Sequence, residues 1–209
     1  MARTVNQEQH RERRKVITEA AGSLFARQGF ERTTTAQIAE AAGTSPGNMF
    51  HYFADKPAIF RAIFEQDIPA SRELFREHAE PEDPAASILA VVDALAAPAR
   101  DEVAPGLLVE LLRQAGNDPQ LQEILTTNDA VVRDGIAGLL VEAVAQGRAD
   151  PALDPAEAAT WVRTVVDAAY LNADPETDPL PMLRLIIGRF LGLPKPIAQD
   201  GPALEEERP

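Results

Sequence analysis

The sequence has no cysteine and only three histidines among its 209 residues. Without cysteine, disulfide bonds, thiolate nucleophiles and cysteine-rich zinc sites are excluded. The first fourteen residues are polar, and no window approaches the roughly 18 consecutive apolar residues of a membrane span. We therefore expect a protein without signal peptide or membrane segment that acts in the cytoplasm and needs no metal or other cofactor.

The residues that usually carry enzyme chemistry are also sparse. His10, His51 and His78 are far apart in the chain, the carboxylates are dispersed, and no HExxH, GxSxG or P-loop pattern occurs. A catalytic site needs an acid, a base or a nucleophile that converge, and nothing in the sequence predicts such a convergence. We therefore expect that the protein is not an enzyme.

Positive charge is scarce over most of the chain but not at its start. The net charge is −13, yet residues 1–62 hold nine basic and six acidic residues, a balance of +3, and the remainder carries −16. This balance argues against a wholly basic nucleic-acid coat protein. Only the N-terminal segment has the charge to approach a polyanion such as DNA.

Apolar residues recur at helical spacing along the whole chain and predict an all-α fold of about nine helices. Gly29 and Gly43 are predicted to stop helices with a positive φ, and Pro69 is predicted to kink one. Several prolines follow a capping residue, which is typical of helix starts. These pairs are Ser45-Pro46, Asp83-Pro84, Asp118-Pro119, Asp154-Pro155 and Asp178-Pro179.

The same patterns predict three segments. Residues 1–62 form an N-terminal head, and residues 63–193 form a helical body. Residues 194–209 are rich in proline and end in acidic residues, so we expect a disordered tail.

Residues 34–53 hold two short helical patterns separated by a glycine, which is the layout of a helix-turn-helix. Thr34 can cap the first helix, with Gln37 in the capping-box position, and Ser45 can cap the second. The second helix then presents Pro46, Gly47 and Asn48 at its front, where small side chains let the backbone approach a phosphate or a base edge. Similar turns also join short helices in bundles that do not bind DNA.

From Arg14 to Phe64 the chain resembles the tetracycline-repressor (TetR) family of bacterial transcriptional regulators. The resemblance covers about a quarter of the chain and follows the family's order of motifs. These are Phe25-x-x-x-Gly29-Phe30, Ile38-Ala39-Glu40-Ala41-Ala42-Gly43, Ser45-Pro46-Gly47 and Tyr52-Phe53-x-x-Lys56. The resemblance implies a helix-turn-helix head followed by a body that binds a small molecule and dimerises.

Two positions depart from the family pattern. The family usually has tyrosine where this chain has Phe50, and the tyrosine hydroxyl commonly reaches a DNA phosphate. Phe50 cannot donate that hydrogen bond, so either His51 or Tyr52 replaces it or the affinity is lower. Thr35 stands where an aliphatic residue is usual, and its methyl group can still pack.

The matched positions and their chemistry predict the DNA contacts. Thr34 and Lys56 are expected to contact phosphates, and Asn48 is expected to read an adenine edge. Asn48 and His51 are alternatively plain surface residues. The predicted DNA-binding residues are Thr34, Thr35, Ser45, Pro46, Gly47, Asn48, Phe50, His51, Tyr52 and Lys56. A flexible arm that enters the minor groove, or a solvated charge run, is expected at Arg11, Arg13, Arg14 and Lys15.

In the body, the resemblance implies dimerisation through the last two helices, at about 155–172 and 179–191. The predicted interface residues are Trp161, Val165, Leu183, Ile187 and Phe190; the alternative is that they belong to the core of one chain. An effector pocket is expected among the central helices, where polar residues interrupt apolar stripes. These residues are Arg113, Asn117, Asn128, Trp161, Asp167 and Tyr170.

For three of these effector candidates another interpretation stays open. Trp161 and Tyr170 are alternatively plain core residues, and Arg113 can pair with Glu110 on its own helix.

The function predicted from these features is a dimeric repressor that leaves a pseudo-palindromic operator in double-stranded DNA when a small-molecule effector binds the body. One alternative is a regulator of the same fold that ignores effectors or activates transcription. Another is a helical small-molecule-binding module with a weakened DNA head. No membrane partner is expected.

Overall fold

The computed structural model describes residues 2–172 and 176–194, with side chains from residue 7 onward. This part of the chain contains ten α-helices, one short 3-10 helix at Ala97–Arg100 and no strand, which confirms the all-α prediction. Most of the predicted tail, residues 195–209, lies outside the described residues. The helices are α1 (Ala2–Gln28), α2 (Thr35–Ala41), α3 (Pro46–Met49), α4 (Lys56–Glu65), α5 (Asp67–Glu77), α6 (Pro84–Ala96), α7 (Ala104–Ala115), α8 (Pro119–Ala145), α9 (Pro155–Leu171) and α10 (Leu180–Phe190).

Helices begin at the predicted capping residues because a side-chain oxygen satisfies the free N–H groups of each first turn. Asp83, Asp118 and Asp154 each accept such hydrogen bonds, with proline as the next residue. The pair Asp178-Pro179 differs, because Pro179 precedes the first residue of α10, which is Leu180. Gly29 and Gly43 have φ values of 87° and 61°, as predicted for helix stops.

The helix predicted to kink at Pro69 is instead two helices that break at Gln66. Pro69 is the third residue of α5. The first-turn N–H groups of a helix have no partner within the helix, so proline there removes no hydrogen bond. The kink prediction is therefore wrong, and this break accounts for the tenth α-helix among the described residues.

Buried apolar side chains form two clusters. The first, here called the head cluster, joins α1 to α4 and includes Phe25, Ile38, Met49 and Phe60. The second, the body cluster, joins α6, α8, α9 and α10 around residues such as Leu140. In the described chain, no helix is long and apolar enough to cross a membrane.

Two long-range contacts connect the head to the body. α8 contributes Leu121 to the head cluster and Ile136 to the body cluster, so one continuous helix takes part in both. α7 packs along the C-terminal part of α1, where a Cβ on Gly106 would lie 2.3 Å from the carbonyl oxygen of Ala26. Only glycine permits this approach of the two backbones.

Candidate DNA-binding site

The turn between α2 and α3 has the geometry that the sequence predicts. Thr34 Oγ1 accepts a hydrogen bond from the N–H of Gln37 at 3.2 Å, and Gln37 Oε1 accepts from the N–H of Thr34 at 2.9 Å. Gly43 adopts a positive φ, and the N–H of Thr44 bonds to the carbonyl of Ala39 at 2.8 Å. These contacts hold α2 and α3 as a helix-turn-helix.

One side of α3 is fixed in the head and the other is open to solvent. Met49 is fully buried in the head cluster, and Ser45 Oγ accepts from the N–H of Asn48 at 3.2 Å. Several predicted DNA-binding residues are exposed around this helix: Ser45, Pro46, Gly47, Asn48, Phe50 and His51. A rigidly anchored helix with one exposed face suits insertion into a DNA major groove.

Asn48, the predicted base-reading residue, is already oriented by a neighbour. Its Nδ2 donates a hydrogen bond to Thr44 Oγ1 at 2.8 Å. An amide has two N–H groups and one carbonyl, so Asn48 still has one donor and one acceptor for an adenine edge. Its reading role stays a prediction that this geometry permits.

Lys56 begins α4, but its ammonium group is bound within the head. Nζ donates to the carbonyls of Phe30 at 2.7 Å and Thr33 at 3.0 Å, and it lies 4.2 Å from the centre of the Phe30 ring. One of its three N–H groups stays available for a phosphate. Lys56 therefore also orders the loop that leads to the cap residue Thr34.

The arginines predicted to form a flexible arm belong to the helix α1. Arg13 donates to the carbonyl of Gly43 at 2.9 Å, and Arg14 donates to the carbonyl of Tyr52 at 2.7 Å. Arg14 also stacks over the Phe53 ring at 4.1 Å. The arm prediction is wrong for these two residues, because their guanidinium groups tie α1 to the helix-turn-helix.

The remaining predicted head residues lie at the edges of the site. Thr34 is exposed and Thr35 is half-buried beside it. Tyr52 is half-buried, and its ring centre is 4.9 Å from that of His10 on α1.

Comparison with known proteins decides the family. The sequence model described as "Bacterial regulatory proteins, tetR family" matches residues 17–63, which span the C-terminal part of α1, all of α2 and α3, and most of α4. Residues 17–63 of the chain therefore match the DNA-binding domain of this family. The chain is a DNA-binding transcriptional regulator of the helix-turn-helix type, and the family resemblance read from the sequence is confirmed.

Two relatives are similar to this regulator over most of their length. YfiR of Bacillus subtilis (strain 168), an uncharacterized HTH-type transcriptional regulator, is 29% identical over 176 residues, 83% of this chain and 85% of YfiR. The HTH-type transcriptional repressor AcnR of Corynebacterium diphtheriae is 28% identical over 170 residues, 80% of this chain and 85% of AcnR.

A solved structure shows the same fold at lower sequence identity. The transcriptional regulator FadR from Bacillus subtilis, in complex with stearoyl-CoA, is 19% identical and has a TM-score of 0.70. The match covers 85% of this chain and 97% of FadR.

Two of the predicted dimer residues of this regulator are not at its surface. Leu183 is 5% exposed and Ile187 is fully buried, because this side of α10 packs into the body cluster. They are core residues, and their assignment to the interface is corrected. Val165 packs partly buried against the same cluster, whereas Trp161 and Phe190 are exposed.

Of the six predicted effector residues, Arg113, Asn117 and Trp161 are exposed at the surface of the regulator. Arg113 pairs with Glu110 at 2.9 Å, as the alternative interpretation of this residue expects. Their assignment to an interior pocket is therefore corrected.

Asp167 and Tyr170 lie in a polar group between α5, α8 and α9, here called the body polar cluster and formed by Asp67, Asp129, Arg163, Asp167 and Tyr170. Arg163 bonds to Asp167 at 2.7 Å and lies 3.8 Å from Asp129. Next to Asp129 on α8, Asn128 has a buried amide oxygen without a hydrogen bond.

The surroundings of the body polar cluster raise the pKa values of Tyr170 and Asp167. Burial raises the pKa of Tyr170 to about 12, with Arg163 opposing the shift, and the neutral hydroxyl donates to the carbonyl of Leu95 at 2.7 Å. Burial also raises the pKa of Asp167 despite its ion pair with Arg163. Removing water from ionisable groups costs free energy, which a polar ligand can offset.

Sequence reasoning missed Asp67, Asp129 and Arg163 of this cluster. Arg163 interrupts the apolar run of α9 next to Val162, and this interruption was the available signal. Asp67 stands at the start of a helix and carried no such signal.

A cleft of about 570 Å³ lies elsewhere, between the head and the start of α8. Its walls include Arg14, Arg61, Glu65 and Glu123, and none of the six predicted effector residues lines it.

Proposed function

We propose that this regulator is a homodimeric repressor, with residues 1–62 as the DNA-reading head and residues 63–193 as the effector-binding and dimerising body. The observation that carries the proposal is the exposed front of α3, held by the buried Met49 and by the capped turn before it. The residues that we propose to contact DNA are the DNA-binding residues predicted from the sequence. A role on bacterial DNA favours a cytoplasmic location, and we expect no catalytic activity.

Dimerisation is supported by an apolar stripe that the single chain leaves exposed. Met182, Ile186 and Phe190 follow one another at four-residue spacing on α10 and are 58%, 43% and 39% exposed. On α9, Trp161 and Leu171 are also exposed. Two copies that share this face would bury it and give two heads for a two-fold operator.

Effector control is supported by the body polar cluster. Charged groups from three helices meet there, and a ligand that bonds to them would favour one arrangement of α5, α8 and α9 over another. The relative AcnR is a repressor and the structural neighbour FadR binds stearoyl-CoA, so repression and ligand binding both occur on similar chains.

The reading role is tested by selecting duplexes that bind the protein from a random library and measuring their affinity by fluorescence anisotropy at two salt concentrations. We expect a pseudo-palindromic duplex whose affinity falls in Asn48→Ala. Asn172→Ala is the matched control, since this exposed asparagine also donates its side-chain amide to the residue four positions earlier, at 2.8 Å to the carbonyl of Ala168, but lies in the body. Selection of no preferred duplex would contradict the proposal.

Lys56→Ala tests the predicted phosphate contact on the same duplex. We expect weaker binding with a shallower dependence on salt, because one phosphate contact fewer releases fewer counterions. Lys56 also orders the head, so unfolding of the variant must be measured beside its binding. If the variant is folded and the salt dependence of its binding is unchanged, Lys56 does not contact a phosphate.

Effector control is tested on the same complex, with acyl-CoA thioesters as first probes. A ligand that acts through the body polar cluster should release wild-type protein from the operator but fail to release Asp67→Asn or Tyr170→Phe. Both variants should still bind the operator, because the cluster lies in the body.

A further inference from the structure

We propose that Phe50 determines specificity by packing its ring against the C5-methyl group of a thymine in the operator. This inference rests on the proposed reading of DNA by α3. It assigns to Phe50 an apolar contact with a base, in place of the phosphate hydrogen bond that it cannot make.

Phe50 is half exposed, with 50% of its surface open to water. Among residues 7–65, all of whose side chains are described, it is the only exposed large hydrophobic residue. A phenylalanine ring in water is unfavourable unless a partner covers it. The residues on either side of it in the chain differ, because Met49 is buried and His51 is polar and exposed.

The position of Phe50 directly after α3 indicates which partner its ring can contact. It follows Pro46 and Gly47 by four and three residues, so all three share one helical face. Its N–H bonds to the carbonyl of Pro46 at 3.3 Å, which fixes the backbone. A Cβ built on Gly47 would meet nothing within 4 Å, so the surface beside Phe50 is open for DNA to approach.

The chemistry of DNA leaves one suitable contact for this ring. Phosphate oxygens are charged, and a ring that covers them would remove their water without offering a hydrogen bond. In the major groove the edges of the base pairs present donors and acceptors, and the thymine methyl is the apolar group among them. A protein partner is disfavoured because a single exposed ring between Asn48 and His51 is smaller than a usual docking patch.

The test removes the methyl group and leaves the rest of the base unchanged. Each thymine of the selected operator is replaced by 2′-deoxyuridine, one position at a time in both half-sites, and affinities are measured by anisotropy. Burial of one methyl group predicts a loss of about fourfold per half-site and roughly fifteenfold when both half-sites are changed. We expect this loss at one thymine position and little change at the others.

Variants at Phe50 assign the effect to this side chain. In Phe50→Ala, the thymine and deoxyuridine duplexes should bind equally, whereas Phe50→Tyr keeps the ring and should keep the difference. The salt dependence of Phe50→Ala should match that of the wild type, because no phosphate contact is lost. Since Phe50 is half exposed, thermal unfolding should show that Phe50→Ala is folded.

Three results would overturn the inference. If no thymine position responds to deoxyuridine, or if folded Phe50→Ala still discriminates the two duplexes, the methyl contact is refuted while the reading role of α3 stands. If selection recovers no preferred duplex, the proposed function fails and the inference fails with it. These failures are distinguishable because the last one precedes any replacement of thymine.

Discussion

Glu110 of α7 accepts a hydrogen bond from the backbone N–H of Phe30 through Oε2, at 3.0 Å. Glu110 is only 5% exposed, and its other oxygen accepts from Arg113 at 2.9 Å. The carbonyl of Phe30 in turn accepts from Lys56 at the start of α4. One buried carboxylate of the body therefore holds the loop that leads into the helix-turn-helix, so a shift of α7 would reach the reading head.

Loss of this carboxylate should destabilise the protein. Glu110→Ala leaves the buried N–H of Phe30 without a partner, which costs about 1–3 kcal/mol. Glu110→Gln keeps an oxygen acceptor and should cost less. Arg113→Ala should cost under about 1 kcal/mol, because this arginine side chain is 69% exposed and its ion pair is screened by water. Urea unfolding measures all three, and equal losses in the alanine and glutamine variants at position 110 would contradict the role of the hydrogen bond.

The close approach of α7 and α1 gives a second stability prediction. In Gly106→Ala, the new methyl group would lie 2.3 Å from the backbone oxygen of Ala26, so the helices must separate. We expect a loss of roughly 2 kcal/mol or more by the cost of overpacking. Gly138→Ala is the matched control within α8, where a Cβ meets nothing within 4 Å. It should be neutral or stabilising by up to about 1 kcal/mol because alanine favours helix. Similar effects of the two substitutions in urea unfolding would refute the close contact.

Helix starts and the reading motif could be predicted from the sequence because their causes are local. The capping bonds of Thr34 and Ser45 reach only three residues along the chain. The positive φ of Gly43 likewise follows from the turn in which it lies. By contrast, Glu110 meets Phe30 across 80 residues, and no local pattern identifies that pairing.

The buried side of α10 shows why the apolar periodicity alone could not predict which residues of this helix enter the core. This helix has apolar residues on most of its sides, so the stripe that holds Leu183 and the stripe that holds Ile186 are equally plausible inner faces in the sequence. Tertiary contacts decide between them: Arg184 bonds to Asp93 of α6, and Leu183 and Ile187 enter the body cluster. The first helix was misjudged for a related reason, because residues 2–15 form a helix without an apolar stripe.

Asp67 should make stability depend on pH. Although it is an exposed residue, the protein atoms around its carboxyl group desolvate it and raise its pKa to about 6 from the usual 3.8, against the opposing effect of Arg163. Between these two values the folded state binds the proton more tightly than the unfolded state, so this contribution to the free energy of unfolding is lost as pH rises from about 4 to 6.

The substitution Asp67→Asn should therefore stabilise the protein above pH 6 and have little effect below about pH 4. Because water screens this group, we expect a gain of order 1 kcal/mol. Urea unfolding of both proteins at pH 4, 5, 6.5 and 8 gives the difference. A difference that does not vary with pH would show that Asp67 titrates with its usual pKa in the folded protein.

Substitutions at two adjacent residues of α10 test dimerisation and folding separately. Ile186 is 43% exposed on the apolar stripe, whereas Ile187 is fully buried in the body cluster. In Ile186→Glu, the charge should be hydrated in the monomer but buried in the proposed interface, so we expect a folded monomer. Ile187→Glu should lose about 4 kcal/mol or more and fail to fold, because an unpaired charge would enter the core.

Sedimentation equilibrium and circular dichroism of the two variants and the wild type measure mass and folding separately. A wild-type dimer and a folded Ile186→Glu monomer would place the interface on the stripe of Met182, Ile186 and Phe190. A folded Ile186→Glu dimer would exclude this stripe as the interface. The Ile186→Glu monomer should also bind the selected duplex more weakly, because each head then binds its half-site without the second one.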